Sequence, residues 1–343
     1  MPLPSWKKVL VVDLGFLGDT VHSIPAIRAL AESGARVDVM TTSVGAELLG
    51  LVPEVNRCWI IPLRKPSPPP WRHLTTLLAI RAEKYDAALT FSGSDRNLFC
   101  AALAGSGERI AVISRQRWWL PFLRLTRKLS PSSHSSPLFD QRLDTLQKLG
   151  WSGGNPGWSW SHSRGVNPTL PPNAVYLSVS AFGSTHKEWP LNLWAEAIRL
   201  VLKARPSTNF IVGFANSLRE KSRAQNLSEC TGSSQLHVLN ESISLPELAF
   251  LLQRVDLFAG LDSGVLHLAM AMGKPTVSVF RDYKGSQEWA PRGNRHLVVK
   301  HLCECDLEQR NLCGHEARCL AAIPPQEVAE AMLALLPPTY AIT

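Results

Sequence analysis

The chain has 343 residues, 45% of them hydrophobic and 19% charged, with a formal net charge of +8 at pH 7. This balance excludes a disordered chain, and the length suffices for two domains with separate cores. No uncharged apolar run reaches the about 18 residues that a membrane-spanning helix needs, and the positive charge points to anionic partners: nucleotide phosphates, an acidic membrane face or nucleic acid.

The predicted elements begin with VLVVD (9–13), a strand too short for a signal peptide and interrupted by Asp13, so a cytoplasmic location is expected. A helix follows, ending near Gly34. ARVDVMTT (35–42), VNRCWIIP (55–62), DAALTF (86–91) and RIAVI (109–113) then alternate with helix-like stretches, which argues for βαβ units and a parallel sheet. The segment 114–130, SRQRWWLPFLRLTRKLS, combines five basic residues with two adjacent tryptophans. It suits either an anionic membrane surface or a surface helix that buries Trp and Leu in the first core. No nucleic-acid-reading motif accompanies the charge, so nucleic acid is not expected as a partner.

Residues 151–173 are rich in Gly, Ser, Pro and Asn and read as an interdomain linker whose tryptophans pack on one domain. The expected domains are 1–165 and 166–343. A second alternating block starts at AVYLSVS (174–180). WPLNLWAEAIRLVLKA places Trp194, Ile198, Val201 and Leu202 on one helix face. NFIVGFA is a strand, and SLPELAFLLQRV opens with the capping-box pair Ser244 and Glu247. DLFAGLD, SGVLHLAMAMG and PTVSVF read as strand, helix and strand, and PPQEVAEAMLALLPP is a closing helix left free to pack back on the first domain.

The loop GFLG (15–18) is not the G-x-G-x-x-G dinucleotide fingerprint, nor does Gly-Lys-Ser/Thr follow as in a P-loop. A nicotinamide-dependent oxidoreductase is therefore disfavoured. The loop instead presents Asp19, with His22 three residues on along the same side. Asp19 reads either as a helix cap or as a general base taking a proton from an attacking hydroxyl. In GLDSGVLHLAMAMG (260–273), Asp262 ends a strand, and Ser263 and Gly264 open a helix whose free N–H groups suit a phosphate. His267 shares the Ser263 face, as a core histidine or a binding residue. Lys187, in HKEWP, is either solvated or placed to neutralise a leaving diphosphate. Cys303, Cys305, Cys313 and Cys319 form C-x-C-x7-C-x5-C, suited to a structural zinc or iron or to reduced thiols.

Three stretches, GFLGDTVHSIPAIRAL, KEWPLNLW and DSGVLHLAMAMGKPT, resemble in order the motifs of the ADP-heptose:lipopolysaccharide heptosyltransferases, glycosyltransferase family 9. The resemblance implies a GT-B fold, α/β, with two Rossmann-like domains whose parallel sheets face a cleft. The N-terminal domain would bind the acceptor and the C-terminal domain the nucleotide sugar. It implies inverting, metal-independent transfer of heptose from ADP-L-glycero-D-manno-heptose to an inner-core, lipid-linked or Kdo-containing acceptor, with no cofactor required for catalysis and peripheral contact with the inner membrane. Asp19 would be the base and Lys187 the diphosphate contact. Gly18, His22, Asp262, Ser263, Gly264 and His267 would belong to the binding sites, and Glu220 would take the ribose. Ser184 and Thr185 stand where the family carries small hydroxyl residues before the lysine. After PTVSVF the chain departs from the family's Gly-Pro-Thr and reads RDY. Transfer to a protein or another glycan, and a non-catalytic nucleotide-sugar binding protein, are the alternatives.

Overall fold

The computed structural model describes residues 3–62, 70–161, 170–181, 185–283, 285–302 and 317–338. The chain divides into two compact units, Met1–Ser163 and Arg164–Thr343.

The first unit runs β1 (Lys8–Asp13), α1 (Leu17–Glu32), β2 (Arg36–Thr41), α2 (Ser43–Leu49), β3 (Val55–Ile60), α3 (Pro70–Ala82), β4 (Ala87–Thr90), α4 (Asp95–Leu103), β5 (Glu108–Val112), a 3-10 turn at Leu120–Leu123, β6 (Arg127–Leu129) and α5 (Leu138–Gln147). Its six strands pair in parallel in the order β3-β2-β1-β4-β5-β6. Val9 to Val12 are fully buried, as expected where helices cover both faces of a parallel sheet and each strand reads as a continuous apolar run.

α1 continues through Pro25. Proline has no N–H, so the carbonyl four residues earlier, that of Val21, loses its helical partner. The indole Nε1 of Trp158 donates to that carbonyl at 2.9 Å. Arg28 donates to the Pro156 carbonyl, and the Ser161 N–H to the Leu51 carbonyl at 2.7 Å. Residues 151–161 are thus a strap on the first unit, and only the later part of the glycine- and proline-rich stretch can connect the units. Trp158 packs within the first unit, where it also meets Phe139 edge-on, with ring centroids 5.1 Å apart.

The second unit runs β7 (Ala174–Ser178), a 3-10 turn at Thr185–Lys187, α6 (Leu191–Ala204), β8 (Asn209–Val212), α7 (Leu218–Thr231), β9 (Leu236–Val238), α8 (Leu245–Arg254), β10 (Leu257–Leu261), α9 (Gly264–Ala271), β11 (Thr276–Asp282), α10 (Ser286–Trp289), β12 (His296–Leu302), α11 (Arg318–Ala321) and α12 (Pro325–Leu335). Its strands are also all parallel, ordered β12-β11-β10-β7-β8-β9. The Ser244–Glu247 capping box forms, with the Ser244 N–H donating to Glu247 at 2.7 Å. α12 buries Val328, Ala329 and Met332 in the same core as Trp194 and Ile198 of α6.

In each sheet the chain reverses its direction of travel once. The reversal lies between β1 and β4 in the first and between β7 and β10 in the second. Beyond the C-terminal ends of such strand pairs the following loops diverge, and this is where open α/β sheets hold ligands.

Candidate active site

In the first unit the reversal is occupied by the loop after β1. Asp13, 5% exposed, closes the strand. Its carboxylate accepts the Gly15 N–H at 3.2 Å and the Ser23 hydroxyl at 2.5 Å, which folds the loop back on the strand end. The Leu14 N–H donates to Asn97 of α4 at 3.3 Å, so the β4 side also pins the loop. Asp19 lies in the first turn of α1, and its Oδ2 accepts the Phe16 N–H at 3.0 Å. The capping role is therefore real, but it engages only one oxygen.

The other oxygen, Oδ1, faces Nη2 of Arg142 on α5 at 3.5 Å. Arg142 also donates from Nη1 to the Asp19 carbonyl and to the Ser23 hydroxyl, and lies 4.0 Å from Asp13. The Asp19 side chain is 29% exposed and can be reached by a substrate. Loss of water around it raises its carboxyl above the usual range. The Arg142 charge and the Phe16 N–H oppose that rise, and Asp13 adds to it. A raised carboxyl is a better proton acceptor once ionised. Gly15 makes the arrangement possible, because a Cβ there would stand 2.4 Å from Cβ of Asp19. Gly18 and His22 are both buried in α1, and the His22 ring lies parallel to Phe139 at 6.0 Å.

In the second unit Lys187 follows β7 and Asp262 follows β10, the two strands that flank the reversal. The Lys187 ammonium lies 2.6 Å from Oδ2 of Asp262. Ser263 is extended (φ −145°, ψ 164°) and precedes α9 without capping it. Its hydroxyl oxygen is buried and has no hydrogen-bond partner among the described residues. Gly264 begins α9. His267, 2% exposed, lies one turn on, with Nε2 3.9 Å from Oδ1 of Asp262 and its ring 5.5 Å from that of Trp289. Burial pulls its imidazole down to about 4, opposed by Asp262 and reinforced by Lys187. At neutral pH it is uncharged, so the Asp262 carboxylate is matched by Lys187 rather than by His267. Glu220, in the first turn of α7, is 6% exposed and accepts the Ala215 N–H at 3.0 Å. Thr185 is exposed beside Lys187.

The structure thus brings Lys187, Asp262, Ser263, Gly264 and His267 together, and sets Asp19 in a separate charged cluster in the other unit. Ser184, Cys303, Cys305 and Cys313 lie outside the described residues, and Cys319 is partly buried. Among the described residues, no group of three or more His, Cys, Asp or Glu is arranged to hold a metal ion. Also among them, no helix is long and apolar enough to cross a membrane. Sequence reasoning missed Asp13, Ser23 and Arg142. Asp13 could have been found from its place at the end of β1. Arg142 had no local signal, since it reaches Asp19 from 123 residues away.

Two Rossmann-like units, each with charged residues at the reversal point of its parallel sheet, define a GT-B glycosyltransferase. The chain belongs to glycosyltransferase family 9 (heptosyltransferase), whose model matches residues 76–317. It is similar to lipopolysaccharide heptosyltransferase 1 of Pseudomonas aeruginosa, at 24% identity over 96% of this chain and 98% of that one. It is also similar to the lipopolysaccharide core heptosyltransferase OpsX of Haemophilus influenzae, at 23% identity over 85% and 84%. Among solved structures, E. coli heptosyltransferase WaaC with ADP matches at a TM-score of 0.75 and 17% identity, covering 95% of this chain and 99% of that one. The family 9 glycosyltransferase of Veillonella parvula matches at 0.77 and 16%, covering 98% of both.

Proposed function

We propose that the protein transfers heptose from an ADP-activated donor to a lipopolysaccharide inner-core acceptor. The observation that carries this reading is the Lys187 ammonium, held 2.6 Å from Asp262 beside the unbonded Ser263 hydroxyl at the start of α9. A fixed cation, a free hydroxyl and a helix N-terminus are the groups that a departing diphosphate needs. The second unit would therefore hold the donor and the first the acceptor. Relatives named lipopolysaccharide heptosyltransferase and a similar structure carrying ADP support the choice of donor and acceptor class.

In the reaction, the acceptor hydroxyl oxygen bonds to the anomeric carbon as the bond from that carbon to the diphosphate oxygen breaks. The configuration inverts. Asp19 takes the hydroxyl proton, and the electron pair of the broken bond leaves with ADP, stabilised by Lys187. Asp262 orients Lys187, and Glu220 is the candidate for the ribose hydroxyls.

The 3-10 turn at Leu120–Leu123 extends this reading to the membrane. Leu120 and Leu123 point into the core, whereas Trp118 is 83% and Phe122 75% exposed, with Arg115, Arg124 and Lys128 exposed around them. Trp119 stacks on Phe99 at 4.7 Å. Residues 114–130 form this turn and β6 rather than a continuous helix, so they place two aromatic side chains among cations. Such a surface fits the anionic face of a bilayer that carries a lipid-linked acceptor.

The test is a thermal-shift panel of ADP-heptose, ADP, UDP-sugars, GDP-sugars and NAD, followed by transfer assays on Asp19→Asn. ADP compounds alone should stabilise the protein. The variant should bind the donor normally and lose on the order of 10² to 10⁴ in turnover. Stabilisation by NAD or UDP-sugars only would overturn the donor assignment, and unchanged turnover in folded Asp19→Asn would overturn the base.

A further inference from the structure

Arg281 sits near the C-terminal end of β11 and is 3% exposed. Among the described residues its buried Nε and Nη1 have no hydrogen-bond partner and it forms no ion pair. The centroid of the Tyr283 ring lies 5.6 Å from its guanidinium carbon. A guanidinium held out of water with no counter-charge is costly to the fold. Such a group persists where something that binds later supplies the missing partner.

Its position identifies that partner. β10 and β11 pair with Gly260 beside Ser278 and Leu261 beside Val279. Leu261 and Val279 point into one core cluster. Two residues beyond this pair come Ser263, just past the end of β10, and Arg281, still within β11, and adjacent strands run about 4.8 Å apart. Ser263 has extended backbone, just past the bend that follows the end of β10. Its buried hydroxyl is unbonded as well. Two buried polar groups with no partner among the described residues therefore lie at the C-terminal ends of adjacent strands, where α9 begins. The nearby Lys187 charge is already matched by Asp262 at 2.6 Å. Among the described residues Arg281 has no such anion.

We propose that Arg281 is a donor-binding residue that grips the diphosphate together with the Ser263 hydroxyl. The guanidinium presents a planar fork of donors that matches two phosphate oxygens, which a single ammonium cannot do. This rests on the ADP-donor reading above and adds to it a second cationic contact, carried by the C-terminal end of β11.

Isothermal titration of wild-type protein, Arg281→Gln and Arg281→Lys with ADP and with adenosine tests it, alongside thermal melts of the ligand-free forms. Arg281→Gln should weaken ADP binding by about 10- to 100-fold and leave adenosine binding within about twofold. Arg281→Lys should retain part of the ADP affinity. Because the substitution removes an unpaired buried charge, the ligand-free melting temperature of Arg281→Gln should equal or exceed that of wild type. Equal ADP affinity in folded Arg281→Gln and wild type overturns the proposal while leaving the ADP-donor reading intact. A lowered melting temperature with ADP and adenosine weakened alike marks a structural role and overturns it as well. A wild-type protein that binds no ADP overturns the donor reading itself.

Discussion

Asp19 does two jobs with its two oxygens. One closes the first turn of α1 through Phe16, and the other faces Arg142 at 3.5 Å. A base in this setting works only when ionised, so activity should fall as pH drops through its raised pKa, on a limb lying above the ordinary aspartate range. The Arg142 charge opposes the rise, and Arg142→Gln should move the limb further toward alkaline pH. The variant should also lose about 3 kcal/mol of stability, because Asp13 is left buried without its cation. A pH–rate profile reads the first effect and urea melts the second. An unmoved limb would reduce Arg142 to a structural role. His267 makes a separate pH prediction. Its folded pKa of about 4 lies below the unfolded value of 6.5. As pH falls between these values, the unfolded chain takes up a proton that the fold refuses, so stability present above about 6.5 declines by up to about 3 kcal/mol near pH 4. His267→Gln should flatten that part of the stability–pH curve. Asp19, Lys187 and Asp262 were legible in the sequence because each ends or follows a strand within a short motif. Arg142 and Arg281 were not, because their significance depends on partners, or on a lack of partners, that only the tertiary fold decides.

Among the elements, α1 shows how a local rule is broken and repaired. Pro25 suits the start of a helix, yet it stands well inside this one, and the Val21 carbonyl it orphans is taken by Trp158 at 2.9 Å. Trp158→Phe keeps an aromatic ring but removes the donor. It should cost about 2 kcal/mol, the penalty for an unsatisfied buried carbonyl, seen as a lower urea midpoint at unchanged slope. The inner strands were legible as apolar runs because both their faces are covered. β6, β9 and β12 were not. All three are edge strands, and RKL, LHV and HLVVKHL carry the polar residues that edges tolerate and that disrupt an apolar run. The basic, tryptophan-rich stretch was ambiguous for a related reason: Pro121 and the left-handed Arg124 (φ 47°) confine it to a single 3-10 turn, so no helical period is there to read.

For the whole molecule, two units were legible from two alternating blocks and a change of composition between them. The division falls at Ser163, inside the stretch read as a linker. The excess of 36 lysines and arginines over 28 acidic residues gives the chain a general attraction for anionic surfaces, and in the proposed reading the exposed Trp118 and Phe122 would give that attraction a location. Binding to vesicles containing phosphatidylglycerol should exceed binding to purely zwitterionic ones and weaken with added salt. Trp118→Ala combined with Phe122→Ala should reduce it by about tenfold, and co-sedimentation that is indifferent to both charge and substitution would exclude this face as the contact. The strap of residues 151–161 also sets an order of events during synthesis. A chain leaving the ribosome presents α1 early, but the indole that completes it arrives more than a hundred residues later. The nascent first unit must therefore wait, one helix carbonyl unanswered, until Trp158 has cleared the exit tunnel and the second unit has begun to be translated.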